Sequence, residues 1–113
     1  MSDAIEIRPK PGHVVVVAGG AVLGETDRAL ELIEDGFDPV VYFPRDDLAM
    51  VMLDASAKRT SCPKKGEASY YSIQTKSTVL KDAAWSYEAP IDGAAAIAGY
   101  IAFAHPSVNV LDV

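Results

Sequence analysis

Cys62 opens the run Cys62-Pro-Lys-Lys-Gly66, and Lys58, Arg59, Lys64 and Lys65 fall within eight residues that contain no acid. A thiol among cations has its thiolate stabilised, which is what a cysteine nucleophile requires. Gly66 lets the backbone turn or come close to a ligand. The same letters also describe a small residue buried where a loop meets a strand, and the cations also describe a solvated loop. If chemistry occurs here, Cys62 is the expected nucleophile and Glu34 the expected general base. Arg45 and Lys65 are the expected receivers of an anionic group. Tyr42, Tyr70, Tyr71, Trp85, Tyr87, Tyr100 and Phe103 supply rings, and the tyrosines and tryptophan carry a polar handle that suits a pocket wall as well as a core. Glu34 and Arg45 flank the segment carrying Tyr42, where a plain salt bridge is the alternative.

Two other chemistries are excluded by spacing. Gly19, four residues, Gly24, Glu25 and Thr26 come close to a phosphate-binding P-loop, but Glu25 puts a negative charge where that loop needs a lysine. His13 and His105 are far apart and have no His, Cys or Asp neighbours at ligand spacing, so no metal and no cofactor are expected.

Composition sets the frame for these residues. A chain of 113 residues, half of them hydrophobic and 23% charged, can form one domain with one real core, here residues 1–113. The net charge of −6 is concentrated early, with eleven acids against six Lys/Arg in residues 1–60. A general nucleic-acid surface is therefore not expected, because phosphate neutralisation needs clustered positive charge. The longest apolar run, His13 to Leu23, is broken by two glycines and is too short for a membrane span. One cysteine allows no internal disulfide, and the opening Met-Ser-Asp-Ala-Ile-Glu lacks signal-peptide character; the expected location is a reducing cytoplasm. A homodimer is compatible with the sequence, which does not specify one.

Seven prolines and eight glycines cut the chain into short segments that suit strands and turns. Residues 1–8 read as an edge strand, Val14–Val17 as a central strand apolar on both faces, and Gly19-Gly20 as a tight turn into Ala21–Leu23. Residues 26–36 fit a capped helix or a strand over 28–34 returning into Val40–Phe43; the Leu30/Leu32 alternation and the short loop favour the hairpin. Met50–Leu53 reads as a short strand and Asp54–Gly66 as a polar loop. Ser69–Thr75 and Thr78–Tyr87 read as strands, the second with Val79, Ala83, Trp85 and Tyr87 on one face. Ala94–Ala98 fits a helical turn, and Tyr100–Ala104 and Val108–Val113 fit last strands. The expected fold is mainly β: about eight short antiparallel strands with at most one or two short helices.

Taken in order, several stretches resemble the domain of unknown function 427 family, also catalogued under a nucleotidyltransferase label. They are Arg28-Ala-Leu30 with Glu34, Pro39-Val-Val-Tyr-Phe-Pro-Arg-Asp-Asp-Leu48, Thr60-Ser-Cys-Pro-Lys-Lys-Gly-Glu-Ala-Ser-Tyr-Tyr71, Ala84-Trp-Ser-Tyr87 and Gly99-Tyr-Ile-Ala-Phe103. The resemblance implies a small bacterial β-tent protein, similar to the Mss-four-like type but without the Cys-x-x-Cys zinc pairs of several such proteins. It places the family pattern on Glu34, Tyr42, Pro44, Arg45, Asp47, Cys62, Lys65, Gly66, Tyr71, Trp85, Tyr87 and Phe103. Lys64 and Ala104 stand where the family commonly has aromatics, which implies a more open or more cationic cleft.

These readings converge on a small-molecule-binding β domain with one polar-aromatic cleft for an anionic ligand. In it, Tyr42, Arg45, Lys65, Tyr71, Trp85 and Tyr87 bind, and Cys62 with Glu34 performs any reaction. A non-catalytic module that holds a peptide or protein end in the same cleft is the alternative. A third possibility is a buried polar network with a purely structural role.

Overall fold

Val14 to Val17 places β-branched side chains at four successive positions, a pattern that is satisfied inside a sheet covered on both sides. In the computed structural model, which describes residues 5–113, this run forms β2 (Val14–Ala18) at the centre of a three-stranded antiparallel sheet. β3 (Ala21–Thr26) joins it through Gly19 and Gly20, both at positive φ (56° and 87°), as a tight hairpin requires. β10 (Val108–Asp112) pairs along its other side. A second sheet has the order β1-β4-β5, from β1 (Ile5–Pro9), β4 (Leu30–Glu34) and β5 (Val40–Tyr42). A third runs β6 (Leu53–Cys62), β7 (Gly66–Gln74), β8 (Val79–Ser86) and β9 (Ala102–Phe103). Three 3-10 segments, Arg45–Asp47, Met50–Met52 and Asp92–Ile97, make the connections. The chain is mainly β, with ten antiparallel strands among the described residues rather than about eight. No helix there is long and apolar enough to cross a membrane.

The sheets meet over two buried clusters. One gathers Val14, Val16, Leu23, Phe43, Ile73 and Ile101; Phe43 packs edge-on to Phe103 with centroids 5.8 Å apart. The other gathers Leu32, Tyr42, Ala68, Tyr87, Ile97 and Ala102 and underlies the site described below. The second and third sheets are tied by one isolated bridge, Phe43 to Ile101, whose two backbone hydrogen bonds measure 2.8 and 2.9 Å.

Residues 26–36 form the hairpin arm and not the helix: Leu30 pairs with Tyr42 and Leu32 with Val40. The strand starts at Leu30, two residues later than expected. Residues 1–4 of the expected first strand lie outside the described residues; the remainder, β1, is an edge strand. Three expectations fail. Met50–Met52 is a 3-10 turn and not a strand. Asp54–Cys62, read as a polar loop, belongs to β6, an edge strand held by β7 alone and exposed over most of its length. Polar residues on both faces erase the alternation that marks a strand, and ladder hydrogen bonds override local propensity. Val79 does not share a buried face with Ala83 and Trp85: it is exposed and Leu80 is buried. Asp82, at φ 51°, sits where the β7–β8 register shifts, and the extra residues break the simple alternation.

The corner after β5 is fastened to β3. Thr26 Oγ1 donates to Asp47 Oδ2 at 2.7 Å and Arg28 Nη2 donates to the same oxygen at 3.1 Å. The Thr26 hydroxyl, followed by Arg28, holds the Asp47 carboxyl below the usual range against a smaller opposing effect of burial. Gly24 bridges Leu48, and a Cβ there would run into the Asp47 carbonyl and lie 2.7 Å from Leu48 Cδ2. Gly24→Ala is therefore expected to lower stability by about 1–3 kcal/mol, the usual cost of overpacking, read as a lower denaturant midpoint at unchanged slope.

At the start of β2, His13 Nδ1 lies 2.5 Å from Asp27 Oδ1 and Nε2 lies 2.7 Å from Glu25 Oε1. Hydrogen bonding to Asp27 first and Glu25 second raises the imidazole above its ordinary 6.5. Folding is thus favoured by His13 protonation. That contribution is fully present below the unfolded value and is lost as pH rises through the raised folded value. Denaturation at stepped pH is expected to show this loss in the wild type, and His13→Gln should remove it.

Candidate functional site

A cavity of about 310 Å³ opens between the β4–β5 hairpin and the strands β6, β7 and β8. It gathers six of the eight residues expected to act together: Glu34 at the end of β4, Tyr42 at the end of β5, Cys62 at the end of β6, Lys65 in the following turn, Trp85 on β8 and Tyr87 just beyond it. The turn that presents Cys62 and Lys65 is closed by the Lys65 N–H donating to the Cys62 carbonyl at 3.2 Å. Gly66 follows at φ 114°, a conformation that L side chains rarely adopt. The Lys65 carbonyl then accepts from the Ile91 N–H at 3.0 Å, anchoring the turn to the next loop.

The charges at this end are organised around Glu34. Lys64 Nζ donates to Glu34 Oε2 at 3.0 Å and Lys65 Nζ to Oε1 at 3.1 Å, so both carboxylate oxygens are engaged. The Glu34 and Lys65 side chains are each only 13% exposed. The Lys64 hydrogen bond, then that of Lys65, lowers the Glu34 pKa against the opposing effect of burial. Burial, the largest single influence on Lys65, acts to lower its pKa. The Glu34 hydrogen bond and the charges of Cys62, Glu34 and Tyr42 outweigh it, and the net shift is upward. A carboxylate held ionised between two ammonium groups is a poor proton acceptor. Glu34 and Cys62, expected as base and nucleophile, line the same cavity, but both Glu34 oxygens bond to lysines and none to Cys62 among the described residues. Cys62 is half-buried in the cavity wall.

Besides the Cys62 thiol and the Asp38 carboxylate, the remaining polar groups of the cavity are phenol hydroxyls and an indole N–H. Trp85 Nε1 donates to the Tyr42 hydroxyl oxygen at 3.2 Å. An indole N–H can only donate, so that oxygen is the acceptor, and the tyrosine's own O–H proton has no acceptor among the described residues. Tyr87 is 6% exposed, and its hydroxyl has no hydrogen-bond partner among the described residues. Since no fully enclosed side-chain oxygen or nitrogen lacks a partner there, the Tyr87 hydroxyl is open to the cavity. Burial above all pushes both phenols up to about 12, so both remain protonated donors at neutral pH. Tyr70, cross-strand from Trp85, packs its ring 6.2 Å from the indole, takes a hydrogen-bonding contact from Thr60 at 3.1 Å, and lies under Lys58 Nζ at 4.6 Å.

Arg45 and Tyr71 do not join this group. Arg45 Nε donates to the Gly99 carbonyl at 2.6 Å, and Nη2 donates to Tyr71 Oη and Ser86 Oγ, each at 3.3 Å, and pairs with Glu88. Tyr71 Oη also donates to Glu88 Oε2 at 2.7 Å. The expectation that Arg45 and Lys65 converge on one anion is corrected by this arrangement: Arg45 does not line the cavity, and its guanidinium is engaged by four partners elsewhere. Adjacent residues on a strand face opposite ways, so Tyr70 reaches the cavity and Tyr71 reaches Arg45. Residues outside the expected set are Lys64, Tyr70, Leu32, Val40, Phe37 and Asp38. Lys64 and Tyr70 were visible as neighbours of Lys65 and Tyr71, whereas nothing in the loop Asp35-Gly-Phe-Asp-Pro39 marks Phe37 and Asp38. Among the described residues no three His, Cys, Asp or Glu side chains gather as metal ligands would.

No match is found among curated proteins. A family model described as a domain of unknown function matches residues 6–113, nearly the whole length and all the strands that build the cavity. The chain belongs to the domain of unknown function 427 family.

Proposed function

We propose that this chain is a binding domain for a small anionic molecule, held in the polar-aromatic cleft by a carboxylate or similar acceptor group. One observation carries the reading: Tyr87 is nearly buried, and its hydroxyl has no partner among the described residues and opens to the cavity. A hydroxyl that opens to the cavity and is held by no neighbouring side chain is free to donate to a ligand acceptor. The free O–H proton of Tyr42 adds a second donor. Lys65 adds a third, since an ammonium has three N–H groups and Glu34 uses one. Lys64 and Lys65 outweigh the single carboxylate they share, which favours an anionic group beside them rather than beside Asp38 of the same cavity. Trp85 and Tyr70 provide flat apolar walls for the rest of the molecule. With the glutamate engaged by lysines, binding rather than proton transfer is what these groups support.

Benzoate is a suitable probe, being a carboxylate on a flat ring. It is expected to raise the melting temperature by mass action, and Tyr87→Phe and Lys65→Met should each remove most of that increment. Without ligand, Tyr87→Phe should fold with unchanged stability, because the hydroxyl has no hydrogen-bond partner among the described residues. Tyr42→Phe should cost about 1 kcal/mol, because it strands the Trp85 N–H. Equal stabilisation of the wild type and both cleft variants would reduce the effect to salt exclusion and remove the reading.

A further inference from the structure

A second cavity, of about 560 Å³, adjoins the first. Asp38, Val40 and Trp85 line both, so the two share one wall. Their chemistry differs. The first presents hydroxyl and ammonium donors. The second is bounded by Pro39, Val41, Phe103, Ala104 and Val110, and two of its three charged residues, Lys10 and Asp112, are paired with each other at 3.1 Å. It contains no hydroxyl, amide or imidazole side chain. Val110 on this side is 38% exposed and Phe37 at the cleft is 70% exposed, so apolar surface is wet at both ends.

We infer that the ligand is an amphiphile, a monocarboxylate whose head meets Tyr42, Tyr87 and Lys65 and whose unbranched apolar tail passes Trp85 into the second cavity. This inference rests on the proposed anion-binding role of the cleft and extends it to the body of the ligand. A tail there covers Val40, Val41, Phe103 and Val110, and burying apolar area is its source of affinity. A second carboxylate at the far end of the tail would be desolvated in a groove whose lysine, Lys10, is already paired with Asp112, so the class is monoacids rather than diacids. The groove asks nothing polar of its occupant, because its Lys10 already has Asp112.

Trp85 is the only tryptophan in the chain and lines both cavities, so its fluorescence reports binding without a label. We would titrate the full chain with benzoate, which fits the cleft alone, and with acetate, butanoate, hexanoate, octanoate and octanedioate. Affinity is expected to rise along the monoacids by about fourfold per methylene until the groove is filled. Octanedioate should bind more weakly than octanoate. Ala104→Phe, at an exposed position that lines the groove, should flatten the chain-length trend and leave benzoate binding unchanged. Benzoate binding with no dependence on chain length would overturn the tail and spare the cleft. Failure of benzoate and of every acid would overturn both. A trend that persists unchanged in Ala104→Phe would place the tail elsewhere and overturn the inference as well.

Discussion

The pair of hydrogen bonds between Phe43 and Ile101 governs how the rest of this molecule is arranged. Both residues are wholly buried, and each backbone N–H finds the other's carbonyl, at 2.8 and 2.9 Å. Left unmade, such groups would be orphaned away from water at a cost no small domain carries easily. Once made, they set the end of β5 beside the start of β9, so that a three-stranded and a four-stranded sheet act as one surface. Successive side chains then divide the work. Phe43 turns into one core against Phe103, while Tyr42 turns into the other and meets Trp85. The cleft is thus a by-product of a junction between sheets, and its hydroxyls are fixed by the same pleat that fixes the core.

Around that junction the ionic groups are mostly spent on corners. Arg28 and Asp47 fasten the turn after β5, Arg45 and Glu88 fasten the loop at Gly99, and the two lysines fasten Glu34. Pairs of this kind, partly open to solvent, are each worth little in stability, but they specify geometry because their partners lie far apart in sequence. The hydroxyl protons without an acceptor among the described residues are therefore conspicuous. They belong to neutral phenols, held as donors by burial, in the same cavity as Lys65 and Glu34.

Much of this was legible in the residues. The hairpin of residues 30–42 followed from the Leu30/Leu32 alternation and a short loop against a contrary local propensity. Glu34, Tyr42, Cys62, Lys65, Trp85 and Tyr87 were expected together and line one cavity. What stayed hidden was phase. Nothing in Tyr70-Tyr71 says which ring faces the cleft, because the strand alternates and its partner sets the side. Arg45 looked like an anion receiver since its four partners come from Tyr71, Ser86, Glu88 and Gly99, which sequence does not bring near. β6 was hidden for another reason: an edge strand with polar residues on both faces draws its order from the backbone of its neighbour and not from side-chain burial.

The pairing of β10 with β2 has a consequence for how the chain reaches this state. The strand that shields one flank of β2 is the last in sequence, so β2 and β3 are synthesised long before their sheet can be finished. Closing such a large loop costs entropy before any contact repays it, which sets the folding of sheet-rich domains on the order of milliseconds to seconds. During elongation on the ribosome the open ladder of β2, with its four consecutive valines, is a template for pairing with another nascent chain. The order of strands in this fold therefore leaves one flank of β2 unpaired until β10 has been made.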